Sequence, residues 1–283
     1  MPLVPMREIL INARRGQYAV GAFEFWSLDS AMAVVEAAQS FSTPVILQAG
    51  KLEYEYAGGI SNLVKLARMA ADAVSVSVAL HLDHAEDLDD IAQAIDSGFT
   101  SVMFDGSHLP FEENIAMTQR VVSMAHPSSV TVEAELGRLA GAEGYMHVSE
   151  AEVAQTDPDE AARFVELTMV DALAVAIGTA HGFYRFPPKL NLDRLARIAL
   201  AVKQPLVLHG GSGTPDGDVC KAIELGIAKV NICTEFIAAY GNAAADKMKE
   251  NGFRFNVTDY FGSQKSAGSA LVADKIKLFL RGH

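Results

Sequence analysis

Hydrophobic residues cluster in eight short runs along the chain, at 18–25, 44–48, 78–82, 99–104, 130–136, 172–177, 205–209 and 228–233. Most lack a clean apolar/polar alternation, so they read as strands buried on both faces of a parallel sheet. The stretches between them repeat their apolar residues at helical spacing, at 28–39, 62–74, 88–97, 111–125, 159–168, 192–202, 216–225 and 235–250. Ser27 stands where an N-cap belongs. Ile95-Asp-Ser-Gly98 and Ile223-Glu-Leu-Gly226 use one device twice: a glycine stops the helix and the next strand begins at once. Eight β-then-α units predict a (β/α)8 TIM barrel, with a doubly wound sheet as the alternative. No Pro/Gly/Ser-rich linker divides the chain, so residues 1–283 read as one domain. One connection, about 137–158, is long and carries Gly137, Gly141 and Gly144. A connection of that length in a compact fold reads as a functional or mobile active-site loop. The segment at about 251–283 reads as a C-terminal helical extension, with 271–280 amphipathic.

Composition narrows the class. A chain of 283 residues suits one barrel as well as two smaller domains. Lys and Arg number 23 against 35 Asp and Glu, a net charge of −12. That balance disfavours nucleic acid and anionic membranes as partners, but not a small anion held by local donors. Two cysteines, Cys220 and Cys233, make no disulfide framework and point to a reducing compartment. Residues 1–17 carry Arg7, Glu8, Arg14 and Arg15 and no apolar core of a signal peptide. No apolar run is long enough to span a bilayer. The expected location is the cytoplasm.

The chemistry-bearing residues end the runs: Glu24, His81-Leu-Asp83-His84, Asp105, Glu133-Ala-Glu135, Gly178-Thr179-Ala-His181-Gly182, His209-Gly210-Gly211-Ser212-Gly213 and Asn231-Ile-Cys233-Thr234. In a barrel, the C-terminal ends of the strands form the active-site rim. His84, His181 and His209 come from three runs, and three imidazoles with an open position make a catalytic zinc arrangement. Strand alternation turns His81 away from that metal. His108, His126, His147 and His283 lie in loops, at helix ends or at the terminus and read as structural. Asp83 either moves a proton at a metal-bound carbonyl or accepts a hydrogen bond from a metal-bound histidine. Asp105 and Glu135 form a second metal position or satisfy Lys/Arg partners, and the latter is favoured. The Gly210-Gly211-Ser212-Gly213 turn and the 231–234 segment follow runs 7 and 8, where barrels commonly bind phosphate. The dinucleotide fingerprint G-x-G-x-x-G is absent after the first run, against a Rossmann oxidoreductase.

Beyond these single sites, an ordered set of segments resembles a known family. They are Ala22-Phe23 with Leu28-Asp29, Pro44-Val45-Ile46, His81-Leu-Asp-His84, Val102-Met-Phe-Asp-Gly-Ser-His-Leu-Pro-Phe-Glu-Glu-Asn114, Val132-Glu-Ala-Glu-Leu-Gly137, Gly178-Thr-Ala-His-Gly182, Leu208-His-Gly-Gly-Ser-Gly213 and Lys229-Val-Asn-Ile-Cys-Thr234. Together they resemble the zinc-dependent class II ketose-bisphosphate aldolases, and the tagatose-bisphosphate branch more than the longer fructose-bisphosphate enzymes. The resemblance implies a homodimeric or homotetrameric barrel with Zn2+ on His84, His181 and His209. It implies Asp83 exchanging a proton with the aldehyde-side hydroxyl, and Glu143, in the long loop, moving the proton on the dihydroxyacetone phosphate carbon. The phosphate is implied to bind at Gly182, Gly210, Gly211, Ser212, Cys233 and Thr234, partly around Na+ or K+, with Asn231 touching the dihydroxyacetone part. Arg185 stands where the family usually has Lys. The implied reaction is reversible aldol cleavage of a ketose 1-phosphate or 1,6-bisphosphate, without a Schiff-base lysine.

Four departures bear on the sugar. Glu24 stands where the family usually has Asn, and Gln48-Ala-Gly-Lys51-Leu-Glu53 replaces a Ser- or Gly-rich turn. Cys233 replaces Asp or Ala, and 260–265 lacks the usual proline-bearing sequence. Glu24 and Lys51 are therefore specificity candidates, with Lys51 expected to meet an anionic group, and the expected substrate has an unusual aldehyde half. The rival readings are a non-catalytic aldolase-partner subunit and a metal-dependent sugar isomerase or epimerase.

Overall fold

The computed structural model describes residues 3–143, 146–148, 153–182, 184, 188–251, 254 and 256–282. Its strands are β1 (Val20–Glu24), β2 (Val45–Ala49), β3 (Val78–Ala85), β4 (Ser101–Phe104), β5 (Thr131–Leu136), β6 (Gly141–Glu143), β7 (Met146–Val148), β8 (Ala172–Val175), β9 (Leu206–Leu208) and β10 (Ile227–Ile232). Its helices are α1 (Met6–Gly16), α2 (Leu28–Ser40), α3 (Lys51–Tyr56), α4 (Ile60–Asp72), α5 (Leu88–Ser97), α6 (Phe111–Ala125), α7 (Pro158–Thr168), α8 (Leu192–Ala201), α9 (Asp216–Glu224), α10 (Thr234–Asn251) and α11 (Val257–Leu280). Eight strands close in the order β1-β2-β3-β4-β5-β8-β9-β10, all pairs parallel, as a TIM barrel requires. The doubly wound alternative is excluded by that closure.

The missing alternation has a direct cause, since both faces of every barrel strand are buried. Outward residues such as Phe23, Leu47, Leu80, Val132 and Leu208 form the layer under the helices. Inward residues at the lower end are small or aliphatic: Val20, Ala22, Ile46, Ala79, Ala172, Ala174 and Val207. They pack with Met6, Ile9, Leu10 and Ala13, so α1 plugs the bottom of the barrel. Above this dry floor the inward positions turn polar, and there the site begins.

Local signals set the helix ends. Ser27 caps α2, accepting from the Ser30 amide. Gly98 ends α5 in the left-handed region at φ 107°, where residues with a Cβ pay. Three elements exceed the sequence reading: α1, the short α3 after β2, and the β6–β7 hairpin inside the long connection. Its stem is tied by an Arg138–Ala154 bridge and a bridge from Ala140 to Ala180, beside His181. The extension is chiefly α11, which packs on α10, α2 and β1. Its Phe279 is buried against the outer face of β1, and its carbonyl accepts from the Ala19 amide at 3.1 Å.

Phe279→Ala is expected to cost about 3–5 kcal/mol in denaturant unfolding, the usual loss for a buried phenyl ring. A loss below ~1 kcal/mol would mean that the extension contributes little to the barrel wall.

Candidate metal centre and active site

The site depends on a break in strand alternation. His81 and Asp83 both point inward from β3, so His84 should point out to the helices. Instead His84 adopts φ 44°, and the β3–β4 register shifts between Leu82 and Ala85. This bulge turns Asp83 and His84 into the same space. A non-glycine residue in that region costs on the order of 1–2 kcal/mol. The cost is borne because His84 is fixed at both nitrogens: Nδ1 lies 2.8 Å from Asp105 Oδ2, and Nε2 lies 2.7 Å from His209 Nδ1. His81, expected to turn away from the metal, lies outside the triad's ligand group, but not by facing the helices as alternation against His84 implied: it faces the interior below Asp83, with Nδ1 2.8 Å from Ser101 Oγ and Nε2 3.4 Å from Asp83.

His209 follows β9 and is held at Nε2 by Glu133 at 2.9 Å, which leaves Nδ1 facing the cluster. His181 is on the loop beyond β8 rather than at a strand end, and its amide donates to Ala140 O at 2.8 Å. One ring nitrogen each from His84, His181 and His209 lie within 4.8 Å of one another. Carboxylates behind two of the rings fix which nitrogen faces inward, as at histidine–metal sites.

Asp105 thus orients His84 and also accepts from the Ser107 amide at 3.0 Å, so among the described residues its partners are neither Lys nor Arg. Glu135 lies 4.0 Å from His84 Nδ1 and 3.9 Å from His209 Nδ1, and His84, Asp105 and Glu135 remain a geometrically possible second group for a cation.

Beneath the histidines sits a buried ion pair that the sequence did not reveal. Lys229 Nζ donates to both Glu133 oxygens, at 2.8 and 3.0 Å, and stands 4.0 Å from Asp83 Oδ1. A register shift between Ile227 and Lys229 accompanies its turn inward. Burial alone would raise the Glu133 carboxyl. The Lys229 ammonium, with His81 and His209, overrides it and lowers the group to about 2. Burial also works against ionised Asp83, yet the facing histidines and Lys229 hold its carboxyl well below the ordinary range. Asn231 adds support, its Nδ2 donating to both Asp83 oxygens at 3.1 and 3.3 Å. His209 is pushed down by burial and by the neighbouring His84, which favours the neutral imidazole that a metal needs.

The donor set fits a divalent cation. Three imidazoles suit zinc, and carboxylates behind the rings raise their basicity. The interior charge also asks for one: Glu24, Asp83, Asp105, Glu133 and Glu135 are all buried here, and Lys229 is the buried cation among them.

The mouth is a cavity of about 610 Å³. One end is lined by Gly182, Gly210, Ser212, Cys233 and Thr234, with Asn231 on the wall. Gly210 takes φ 64° and lies so close to the Ala180 carbonyl that a Cβ would strike it, so the position needs glycine on both counts. Gly211 donates to Asn231 O at 3.2 Å, and Ser212 Oγ accepts from the Glu235 amide at 3.2 Å, seating this turn at the start of α10. Tyr184 locks the two loops together, accepting from Ala180 N and donating to Gly210 O, both at 2.8 Å; no sequence signal marked it. Glu24, Lys51 and residues of α3 also line the cavity. Lys51, expected to meet an anionic group, stands in the cavity lining 3.6 Å from the Asp90 carboxylate. The Glu143 backbone belongs to β6, but its side chain, Gly144 and Arg185 lie outside the described residues.

A closed parallel barrel with an imidazole triad and an ionised carboxylate at its rim defines a metal-site barrel enzyme. The family described as fructose-bisphosphate aldolase class-II matches residues 4–282. A Staphylococcus aureus (strain Mu50) fructose-bisphosphate aldolase is 41% identical over 281 residues, covering 99% of this chain and 98% of that one. The YdjI aldolase of Escherichia coli K12 superposes with a TM-score of 0.84 at 36% identity, over 98% of this chain and 97% of that one. Fructose-bisphosphate aldolase of Campylobacter jejuni shares the fold with a TM-score of 0.83 at 22% identity, over 98% and 95%. The chain belongs to the class II fructose-bisphosphate aldolase family and is a carbon–carbon lyase.

Lys229→Met is expected to cost about 3–5 kcal/mol at pH 7, because it leaves a buried carboxylate without its cation. Glu133 titrates in the fold at about 2 against an ordinary 4.5, so its stabilisation is full above pH 4.5 and is lost as pH falls toward 2. The gap between wild type and variant in urea unfolding should therefore shrink across that range. A gap independent of pH would show that the pair is not ionised.

Proposed function

We propose that the chain catalyses reversible, zinc-dependent aldol cleavage of a ketose 1-phosphate or 1,6-bisphosphate, giving dihydroxyacetone phosphate and an aldehyde. The observation that carries this is the bulge that turns Asp83, ionised and aimed by Asn231, into the same cavity as the His84–His181–His209 cluster. A divalent cation on these histidines would supply Lewis-acid stabilisation of the negative charge that develops on substrate oxygen.

The remaining steps fall to the chain's own groups. Backbone donors at Gly182 and Gly210, with Ser212 and Thr234 at the start of α10, hold the 1-phosphate, and Gly211, whose amide is bonded to Asn231 O, seats the turn that presents them. A monovalent cation beside that phosphate belongs to the same proposal. Asn231 orients the dihydroxyacetone part. Asp83 takes the C4 hydroxyl proton as the C3–C4 bond breaks and C4 becomes the aldehyde carbon. Glu143, carried on β6, returns a proton to the former C3 and frees dihydroxyacetone phosphate. The β6–β7 hairpin, tied to the His181 loop through Ala140, is suited to covering the cavity and excluding water.

Dihydroxyacetone phosphate release, scored on fructose and tagatose 1-phosphates and 1,6-bisphosphates, should be abolished by a chelator and restored by Zn2+. Borohydride should trap no adduct, and a lysine adduct would sink the proposal. Asp83→Asn should keep its metal, measured by atomic absorption, and lose at least about 10²-fold in kcat, the contribution of a positioned general base. An undiminished kcat would remove Asp83 from the proton step.

A further inference from the structure

Two loops of the site share one short pattern. His181-Gly182 lies on the loop beyond β8 and His209-Gly210 follows β9, so each loop sets a metal-facing imidazole directly before a glycine of the cavity lining. Both glycines take a positive φ, 88° and 64°, which turns the chain sharply after each histidine. The spacing between the two loops therefore fixes two distances at once. One separates two metal-facing imidazoles, and the other separates two of the proposed phosphate donors.

A single side chain spans that spacing. The Tyr184 hydroxyl accepts from the Ala180 amide, just before His181, and donates to the Gly210 carbonyl, just after His209, both at 2.8 Å. Its ring lies over Gly213, where an added Cβ would meet Tyr184 Cδ2 at 3.1 Å. Thr214 Oγ1 gives the same Gly210 carbonyl a second donor at 3.1 Å. The next amide along, that of His181, donates to Ala140 O at 2.8 Å, so the backbone at His181 is held both from the β6–β7 stem and from the turn after β9. Tyr184 is neither in the cavity lining nor in the metal-facing group, so it acts through the two loops rather than on a ligand.

We propose that Tyr184 is a positioning residue whose hydroxyl sets the distance between the His181-Gly182 and His209-Gly210 loops, and with it both the affinity for the metal and the grip on the 1-phosphate. Zinc–imidazole bonds are short and tetrahedral, so a displaced ligand loop is felt as lost affinity. A bound cation draws its ligands together and restores much of the histidine spacing, whereas the glycine donors have no such template. This rests on the zinc-dependent aldolase reading above and adds a residue to it.

Tyr184→Phe tests it, since only the hydroxyl is removed and the ring stays over Gly213. Tyr240→Phe is the control: it removes a tyrosine hydroxyl that bonds the Asp29 carbonyl on α2 at 3.2 Å, outside the cavity lining. The Zn2+ dissociation constant, read by competition with a chromophoric chelator, should rise about tenfold in Tyr184→Phe, the usual cost of losing support behind a metal ligand. With Zn2+ saturating, KM for a ketose 1-phosphate that the wild type cleaves should rise at least about threefold, the worth of one hydrogen bond, while kcat changes less than about twofold. Tyr240→Phe should match the wild type in both constants. A Tyr184→Phe variant with native circular dichroism and a wild-type value of either constant would overturn the proposal. Equal shifts in Tyr240→Phe would overturn it too, by showing a general loosening of the fold. Absence of cleavage by the wild type would overturn the aldolase reading and the phosphate half of this inference, while the zinc constants, which need no turnover, still decide the metal half.

Discussion

The buried Lys229–Glu133 pair is the constraint on which the rest of the site depends. A closed barrel has no edge through which water can reach its interior, so polar groups placed there must satisfy one another. Lys229 does this by meeting both oxygens of Glu133 and lying close to Asp83. Glu133 in turn fixes His209 Nε2, so Nδ1 faces His84. One ammonium therefore supports the ionisation of two carboxylates and, through Glu133, the orientation of a metal-facing imidazole. Its own desolvation is tolerable because the two carboxylates beside it, Glu133 and Asp83, carry negative charge.

The eight barrel strands were legible because each is an apolar run of strand length followed by a helical period, and glycines such as Gly98 mark the stops. The three metal-facing histidines and Asp83 were legible as polar residues following apolar runs. What escaped was whatever depends on a departure from regular period. Period-two counting sends Asp83 and His84 to opposite faces, and only the bulge at φ 44° reunites them. Lys229 reads as a charged residue inside a strand, and nothing in its neighbours names Glu133, 96 residues away, as its partner. The α1 plug was hidden because its apolar residues serve the barrel floor rather than a β-then-α unit. Tyr184 joins two loops through backbone groups, which leave no mark in the sequence.

The strain at His84 bears on the reading of the chain as a non-catalytic partner subunit. A barrel kept only to support an assembly gains nothing from holding a histidine in the left-handed region. Regular β3 geometry would bury that side chain among the helices at no conformational cost. Here the strained backbone is over-determined from both sides by Asp105 and His209, and its result is an imidazole and an ionised aspartate pointing into one cavity. Conformational energy of this kind persists where function needs the geometry, and it favours turnover over a scaffolding role.

The net charge of −12 acquires a location as well as a sign. Part of it lies inside the barrel, where Glu24, Asp83, Asp105, Glu133 and Glu135 surround the place a divalent cation fits. Another part lines the cavity, at Glu53, Glu86, Asp87 and Asp90. An acidic protein can still hold the phosphate of the proposed substrate, because local backbone donors act through partial charges over a few ångströms. The arrangement of charge inside the barrel, rather than the overall sign of the chain, therefore decides what the site can hold.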